Sequence, residues 1–296
     1  MRPRRLLGPL LWWAALCLCV APSVAFWQSR DSNYNINIAS SGFTPSCSQS
    51  TAFLARATGV TLTADKTNYD TLICGLVTDG VWAKLDALWI LVAPDATTQG
   101  LNLVSSSFTL TPHNVSFSAH TPVTGNTTSL YFQTGFAGNL GTQFIKDSAS
   151  AGACHTNTRS AGQSWATLGA VDSNIGVRLI PNFNGTLFVG QLNGNQFTPS
   201  ITPTLPGMWA EDRSASTVTT VYKNGVSQTT DATASSGVGT LENYLIAENN
   251  GSNVASNFSG DTIAAAFYGA SLGATLQGNI RTRINTFLSA YSLTNC

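Results

Sequence analysis

The chain has 296 residues with 14 basic and 14 acidic side chains, and charged residues make up only 9% of it, well below the quarter usual in soluble proteins. So sparse and balanced a charge excludes the basic footprint that nucleic acid or an anionic lipid surface requires. Ser, Thr, Asn and Gly carry the polarity instead, so recognition by this chain would run through hydrogen bonds and apolar contact rather than charge.

Residues 1–25 read as an address label. Arg2, Arg4 and Arg5 form a positive start, residues 6–22 an apolar stretch, and Ser23-Val24-Ala25 a small-residue cleavage site, the layout of a secretory signal peptide. The apolar stretch is short for a bilayer span, which needs about 20 residues. The expectation is therefore an exported chain, secreted or periplasmic, without a membrane anchor once the signal is removed. Three basic and no acidic residues fall in this segment, which leaves a net charge of −3 on the remainder. Cys17 and Cys19 would leave with the signal, and Cys47, Cys74, Cys154 and Cys296 would remain. An even count in an exported chain favours disulfides, and four cysteines allow three pairings. The closeness of Cys47 and Cys74 in sequence favours Cys47–Cys74 with Cys154–Cys296.

After a polar, Ser/Asn-rich lead-in over residues 26–47, residues 48–104 read mostly as helix. Phe53, Leu54 and Ala57 suggest a short helix that Gly59 ends. Thr63 is positioned as an N-cap for a second helix with Asp65 in its first turn, where a carboxylate suits the helix dipole. Tyr69, Leu72, Ile73, Leu76 and Val77 recur at i, i+3, i+4, i+7 and i+8, which makes one apolar face. The apolar run 86–92 reads as a buried strand that Pro94 stops.

From residue 105 to 296 the pattern changes to short strands between Gly, Asn, Ser, Thr and Pro clusters. The expected strands are 108–110, 115–119, 129–133, 165–170, 176–180, 186–190, 207–210, 217–223, 226–230, 244–247 and 262–268. Asn224-Gly225, between the eighth and ninth of these runs, supplies two residues that tolerate positive φ, as a type I′ hairpin turn demands. Leu276, Ile280, Ile284, Phe287 and Leu288 then share one face of a closing helix, opposite Arg281 and Arg283. Many short strands at this spacing predict a mainly β fold, a β-sandwich with an N-terminal helical segment and a C-terminal helix.

The C-terminal third, VYKNGVSQ followed by YLIAEN and then FSGDTIAAAFYGASLGATLQGNIRTRINTFL, resembles the laminin-G-like, concanavalin-A-like jelly rolls, in which an Asn-Gly hairpin precedes a final strand and a helical turn. The helical lead-in is similar to that of bacterial and prophage-associated members of the group. The resemblance implies a jelly-roll sandwich over residues 105–296. It does not fix activity, because such folds serve sugar-binding lectins, protein-binding modules, glycanases and phage tail parts.

The residues for chemistry are few. Glycoside hydrolysis needs two carboxylates at a defined separation, and the E-x-D-x-x-E motif of the glucanases with this fold is missing. Glu211-Asp212 are adjacent and point to opposite faces of a strand; they read as solvated residues near its start. His113, His120 and His155 accompany no nucleophile elbow. Asp231, Glu242, Glu248, Asn249, Asn250 and Asp261 offer hard oxygens of the kind calcium needs, but not in a calcium-loop pattern, so no cofactor or metal is expected. Sugar binding calls for exposed rings and amides. Trp209 and Tyr244, with Tyr222 and Phe258 nearby, are the aromatics closest to the loops, and the loop holding Glu248, Asn249, Asn250 and Asn253 is the densest set of hydrogen-bonding groups. Trp82, Trp89 and Trp165 read as core. The functional expectation is a secreted, non-catalytic binding module for a glycan or cell-surface polysaccharide. The alternatives are a phage or prophage structural part and a divergent glycoside hydrolase.

Overall fold

The structure, a computed structural model, describes residues 42–157, 165–294 and 296. The expected signal peptide and nearly all of the lead-in lie outside the described residues. Residues 43–296 form one compact unit. In chain order its elements are α1 (Ser48–Arg56), α2 (Thr63–Thr78), β1 (Leu85–Ile90), α3 (Ala96–Gly100), β2 (Thr111–His113), β3 (Val123–Thr124), β4 (Tyr131–Gln133), β5 (Ala149–His155), β6 (Leu168–Ala170), β7 (Val177–Phe183), β8 (Leu187–Leu192), β9 (Gly207–Ala215), β10 (Val218–Lys223), β11 (Val226–Asp231), β12 (Tyr244–Leu245), β13 (Glu248–Asn249), β14 (Ala255–Ser256), β15 (Thr262–Gly269) and α4 (Gly273–Ser289).

The strands make two sheets that face one another as a β-sandwich, as the sequence pattern predicts. The first runs β1-β15-β5-β9-β10-β11, with β3 also on β15; the second runs β14-β13-β6-β12-β4-β2, with β7 on β6 and β8 on β7. Helices α1, α2 and α4 cover the far side of the first sheet, so its strands β1, β15, β5 and most of β9 are buried on both faces, while the edge strand β11 is largely exposed. This explains why Ala87, Leu88, Trp89 and Ile90 of β1 are apolar on both faces, since a strand with no wet face has no use for alternation. Leu88 and Ile90 enter the core under the helices with Tyr69, Leu72, Ile280, Ile284 and Phe287. Trp89 enters the core between the sheets with Phe132, Phe136, Leu179, Phe188, Trp209 and Tyr268.

The centre of the first sheet is a strand that the sequence reading missed. β5 has the sequence ASAGACH, poor in the β-branched and aromatic residues that mark strands. It pairs with β15 on one side and β9 on the other, and small residues are what that position accepts. A Cβ at Gly152 would fall 2.5 Å from the Phe267 ring. Across the inward face run Ala87, Tyr268, Ala151, Glu211 and Val221 in register, so the small Ala151 leaves room between Tyr268 and Glu211.

Other expectations need correction. Residues 108–110 and 115–119 are not strands; β2 lies between them, an edge strand paired only with β4 and therefore able to carry Pro112. Thr63 is the first residue of α2 rather than its cap, and Leu62 occupies the cap position without a side-chain bond. α3 was not anticipated from sequence; Asp95 caps it by accepting from Thr98 N at 2.9 Å.

Glu211 and Asp212 are also misplaced by the sequence reading, because both are buried. They do point to opposite faces. Asp212 turns to the helical side, where its carboxylate accepts from Leu272 N (2.6 Å), Gly273 N (3.1 Å) and Gln277 Nε2 (3.2 Å). It thereby satisfies the orphan donors at the start of α4, whose own cap residue Leu272 has no side chain to do so. Glu211 turns inward to the sandwich core.

Both expected disulfides are formed, Cys47–Cys74 and Cys154–Cys296. The second joins the end of the chain to β5. No helix among the described residues is long and apolar enough to cross a membrane.

Candidate functional site

The outer face of the second sheet carries an open cleft of about 280 Å³. Strand alternation builds it. Val177 and Leu179 of β7 point into the sandwich core, so Arg178 and Ile180 point out. On β8, Phe188 goes inward and Leu187 and Val189 flank the cleft. Ala166, Ile180 and Val189 pack together as a small separate apolar cluster, with Phe183 against it. Trp165 closes one side. Its ring lies 6.0 Å from that of Phe183, edge to face, and 39% of the residue is exposed. The sequence expectation that Trp165 is core is thus corrected.

The polar side of the cleft is centred on Arg178. Its Nε donates to Glu248 Oε2 at 2.8 Å and its Nη2 to Glu248 Oε1 at 3.3 Å, a forked pair of the kind that fixes both planes. Its Nη1 donates to Gln196 Oε1, and Asn257 Nδ2 donates to Glu248 Oε1. Glu248 lies behind the cleft, its side chain 3% exposed against 16% for Arg178. The group is therefore preset: each member's orientation is held by another.

The aromatics expected to meet a ligand do not face solvent. Trp209 is in the core between the sheets, 5.6 Å from Phe188, with Nε1 donating to Thr204 O. Tyr244 is fully buried under Tyr131, at a ring separation of 5.1 Å, and its hydroxyl accepts from Gln133 Nε2. Strand alternation alone does not reveal this, because a ring on the outer face can still be roofed by its neighbours. Of the expected loop residues, Glu248 is buried behind the cleft and touches it only through Arg178 and Asn257. Asn249 is buried and shapes the turn, donating to Glu242 O at 3.0 Å and Asn253 Oδ1 at 3.1 Å; the expectation that it faces solvent is corrected. Asn250 and Asn253 are exposed at the tip.

Trp165, Arg178, Gln196 and Asn257 were missed by the sequence reading. A signal was present for two of them. An arginine inside the apolar run GVRLIP must face outward or find a partner, and the polar stretch Gly162-Gln163-Ser164 immediately before Trp165 argues against a core tryptophan. The Gln196 and Asn257 contacts depend on tertiary proximity and leave no local trace.

The residues considered for calcium have protein partners instead. Asp231 accepts from Thr233 N, Glu242 from Gly135 N, Glu248 from Arg178, and Asp261 from Thr167 Oγ1. Among the described residues, the one group of three side chains with metal-ligand atoms close together is Cys47, Asp70 and Cys74, and its sulfurs are spent in the disulfide. His155 sits in a second polar cluster, fully buried at the end of β5. Its Nε2 lies 3.0 Å from Thr167 Oγ1, which donates to Asp261 Oδ2 at 2.6 Å. Sealed from solvent, this set ties β5 to β6 across the sandwich rather than presenting a nucleophile.

No known family profile matches the chain, and no curated protein does. Among solved structures, domain 4 of an extracellular arabinanase from Geobacillus stearothermophilus, in complex with arabinotriose, is 14% identical, with 67% of this chain and 98% of that one covered at a TM-score of 0.45. A Trypanosoma rangeli sialidase mutant displaying trans-sialidase activity is 7% identical, with 74% of this chain and 39% of that one covered, also at 0.45. At such identities and scores the cleft has to be read from its own residues.

Proposed function

We propose that this chain is a non-catalytic glycan-binding module whose ligand lies in the Trp165–Arg178 cleft. The observation that carries the reading is Trp165, a large ring left 39% exposed beside a preset polar group. Sugars present an apolar C–H face and a rim of hydroxyls. An indole with aliphatic neighbours suits the first, and a fixed guanidinium with two amides suits the second. None of the described residues lining the cleft is an acid. Glu248 behind it has its oxygens engaged by Arg178 and Asn257, and one engaged carboxylate does not make the acid and base pair that glycoside hydrolysis uses. This supports binding over cleavage.

The test is a glycan array followed by calorimetry on the best ligand with Trp165→Ala. The expected result is a loss of affinity of about tenfold or more, as for a central aromatic anchor, with an unchanged melting temperature. Sugar binding that survives the substitution would remove the cleft from the reading. Release of reducing ends from any bound glycan would overturn its non-catalytic part.

A further inference from the structure

We infer that the cleft selects uncharged sugars over acidic ones. The inference rests on the glycan-binding reading and specifies its ligand class. A lone arginine in a sugar cleft would suggest a carboxylate ligand, a uronic or sialic acid, gripped by the guanidinium fork. Here that fork is already occupied. Glu248 takes Nε at 2.8 Å and Nη2 at 3.3 Å, and Gln196 takes Nη1.

The energetics favour leaving the pair intact. An incoming carboxylate would have to displace Glu248, whose side chain is only 3% exposed. That would strand a buried carboxylate without its counter-charge, a strongly unfavourable state. Approach without displacement gains little either, because Arg178 and Glu248 sum to zero. The other described residues lining the cleft are Trp165, Thr198, Gln196, Asn257 and apolar side chains, all neutral. Glu211, on the far side of the sheet, adds no attraction for an anion. Hydroxyls fit what remains: the guanidinium has donors left beyond the three in use, and the Gln196 and Asn257 amides both donate and accept.

The experiment titrates the mature chain with neutral oligosaccharides (xylose-, arabinose-, glucose- and mannose-based) and with oligogalacturonate and sialyl-oligosaccharide, each at low and high salt. At least one neutral series should bind about tenfold or more tighter than any acidic one, with an affinity that salt does not change. Glu248→Gln, which frees the guanidinium charge, should shift the preference toward the acidic ligands and make their binding salt-sensitive. Tighter, salt-sensitive binding of an acidic ligand by the wild-type chain would overturn the selectivity and leave the glycan-binding reading standing. Binding of no sugar at all would overturn both. The wild-type comparison decides the matter even if Glu248→Gln fails to fold.

Discussion

Glu211 shows how much a single side chain can hold in reserve. It sits in the apolar core, and neither carboxyl oxygen has a hydrogen-bond partner of good geometry. One oxygen nests against Gly190, where a Cβ would fall 1.8 Å away. Burial drives the carboxyl well above its ordinary value of 4.5; the charge of Arg213, the backbone N–H of Gln191 and the charge of Arg178 only partly oppose this, and Asp231 adds to it. Tyr268, its neighbour across Ala151, is likewise raised by burial and by Glu211. The sign of the linkage follows. At low pH the folded and unfolded chains both hold the proton. As pH rises past 4.5 the unfolded chain releases it and the folded chain keeps it, so this group lowers stability progressively until it ionises in place. Glu211→Gln should abolish that decline, so the variant gains on the wild type in denaturation midpoint as pH is raised from acid to neutral. Parallel stability curves for the two proteins would mean that Glu211 is not held neutral.

Among the elements, the β10–β11 hairpin was the most legible in sequence. Asn224 and Gly225 have φ of 55° and 79°, the two positive values a type I′ turn needs. The structure adds a constraint that local pattern does not carry. A Cβ at Gly225 would lie 2.7 Å from Gly278 Cα in α4, so the turn is wedged against the closing helix. Gly225→Val should therefore combine backbone strain with a clash and cost about 1–3 kcal/mol, read as a lowered urea midpoint. An unchanged midpoint would mean that turn and helix are not in contact. β5 is the opposite case. Its residues were chosen by what lies across from them, Phe267, Glu211 and Tyr268, and not by strand propensity, so nothing local announced the central strand. α4 fell between: the apolar face of Ile280, Ile284, Phe287 and Leu288 was plain, whereas its cap, Asp212, lies 60 residues away from Leu272.

For the whole molecule, composition and strand spacing sufficed for a β-sandwich with helices at both ends, because burial of alternating residues on two sheets is a property of the full pattern. The cleft was less legible. Of the residues expected to meet a ligand, Glu248 lies buried behind it as the partner of Arg178, and Trp209 and Tyr244 are buried elsewhere. Whether a ring is roofed over depends on loops that sequence periodicity does not position. The Cys154–Cys296 bridge is a second property of the whole, since it closes 142 residues of sequence. Its removal by Cys154→Ala with Cys296→Ala should cost about 4–5 kcal/mol by chain entropy, measured as a fall in unfolding free energy. A loss below about 1 kcal/mol would show that packing of α4 alone holds the chain end in place.

The helical layer over the first sheet gives the domain a front and a back. The cleft opens on the second sheet, while exposed positions such as Thr282, Thr286 and Ser289 lie along α4 on the other side. A dye or surface linker placed at Thr286 would therefore stand behind two packed layers of protein. A chip coated through that position would display every copy with its cleft toward the analyte, and fusion partners attached there would leave the cleft side unshaded.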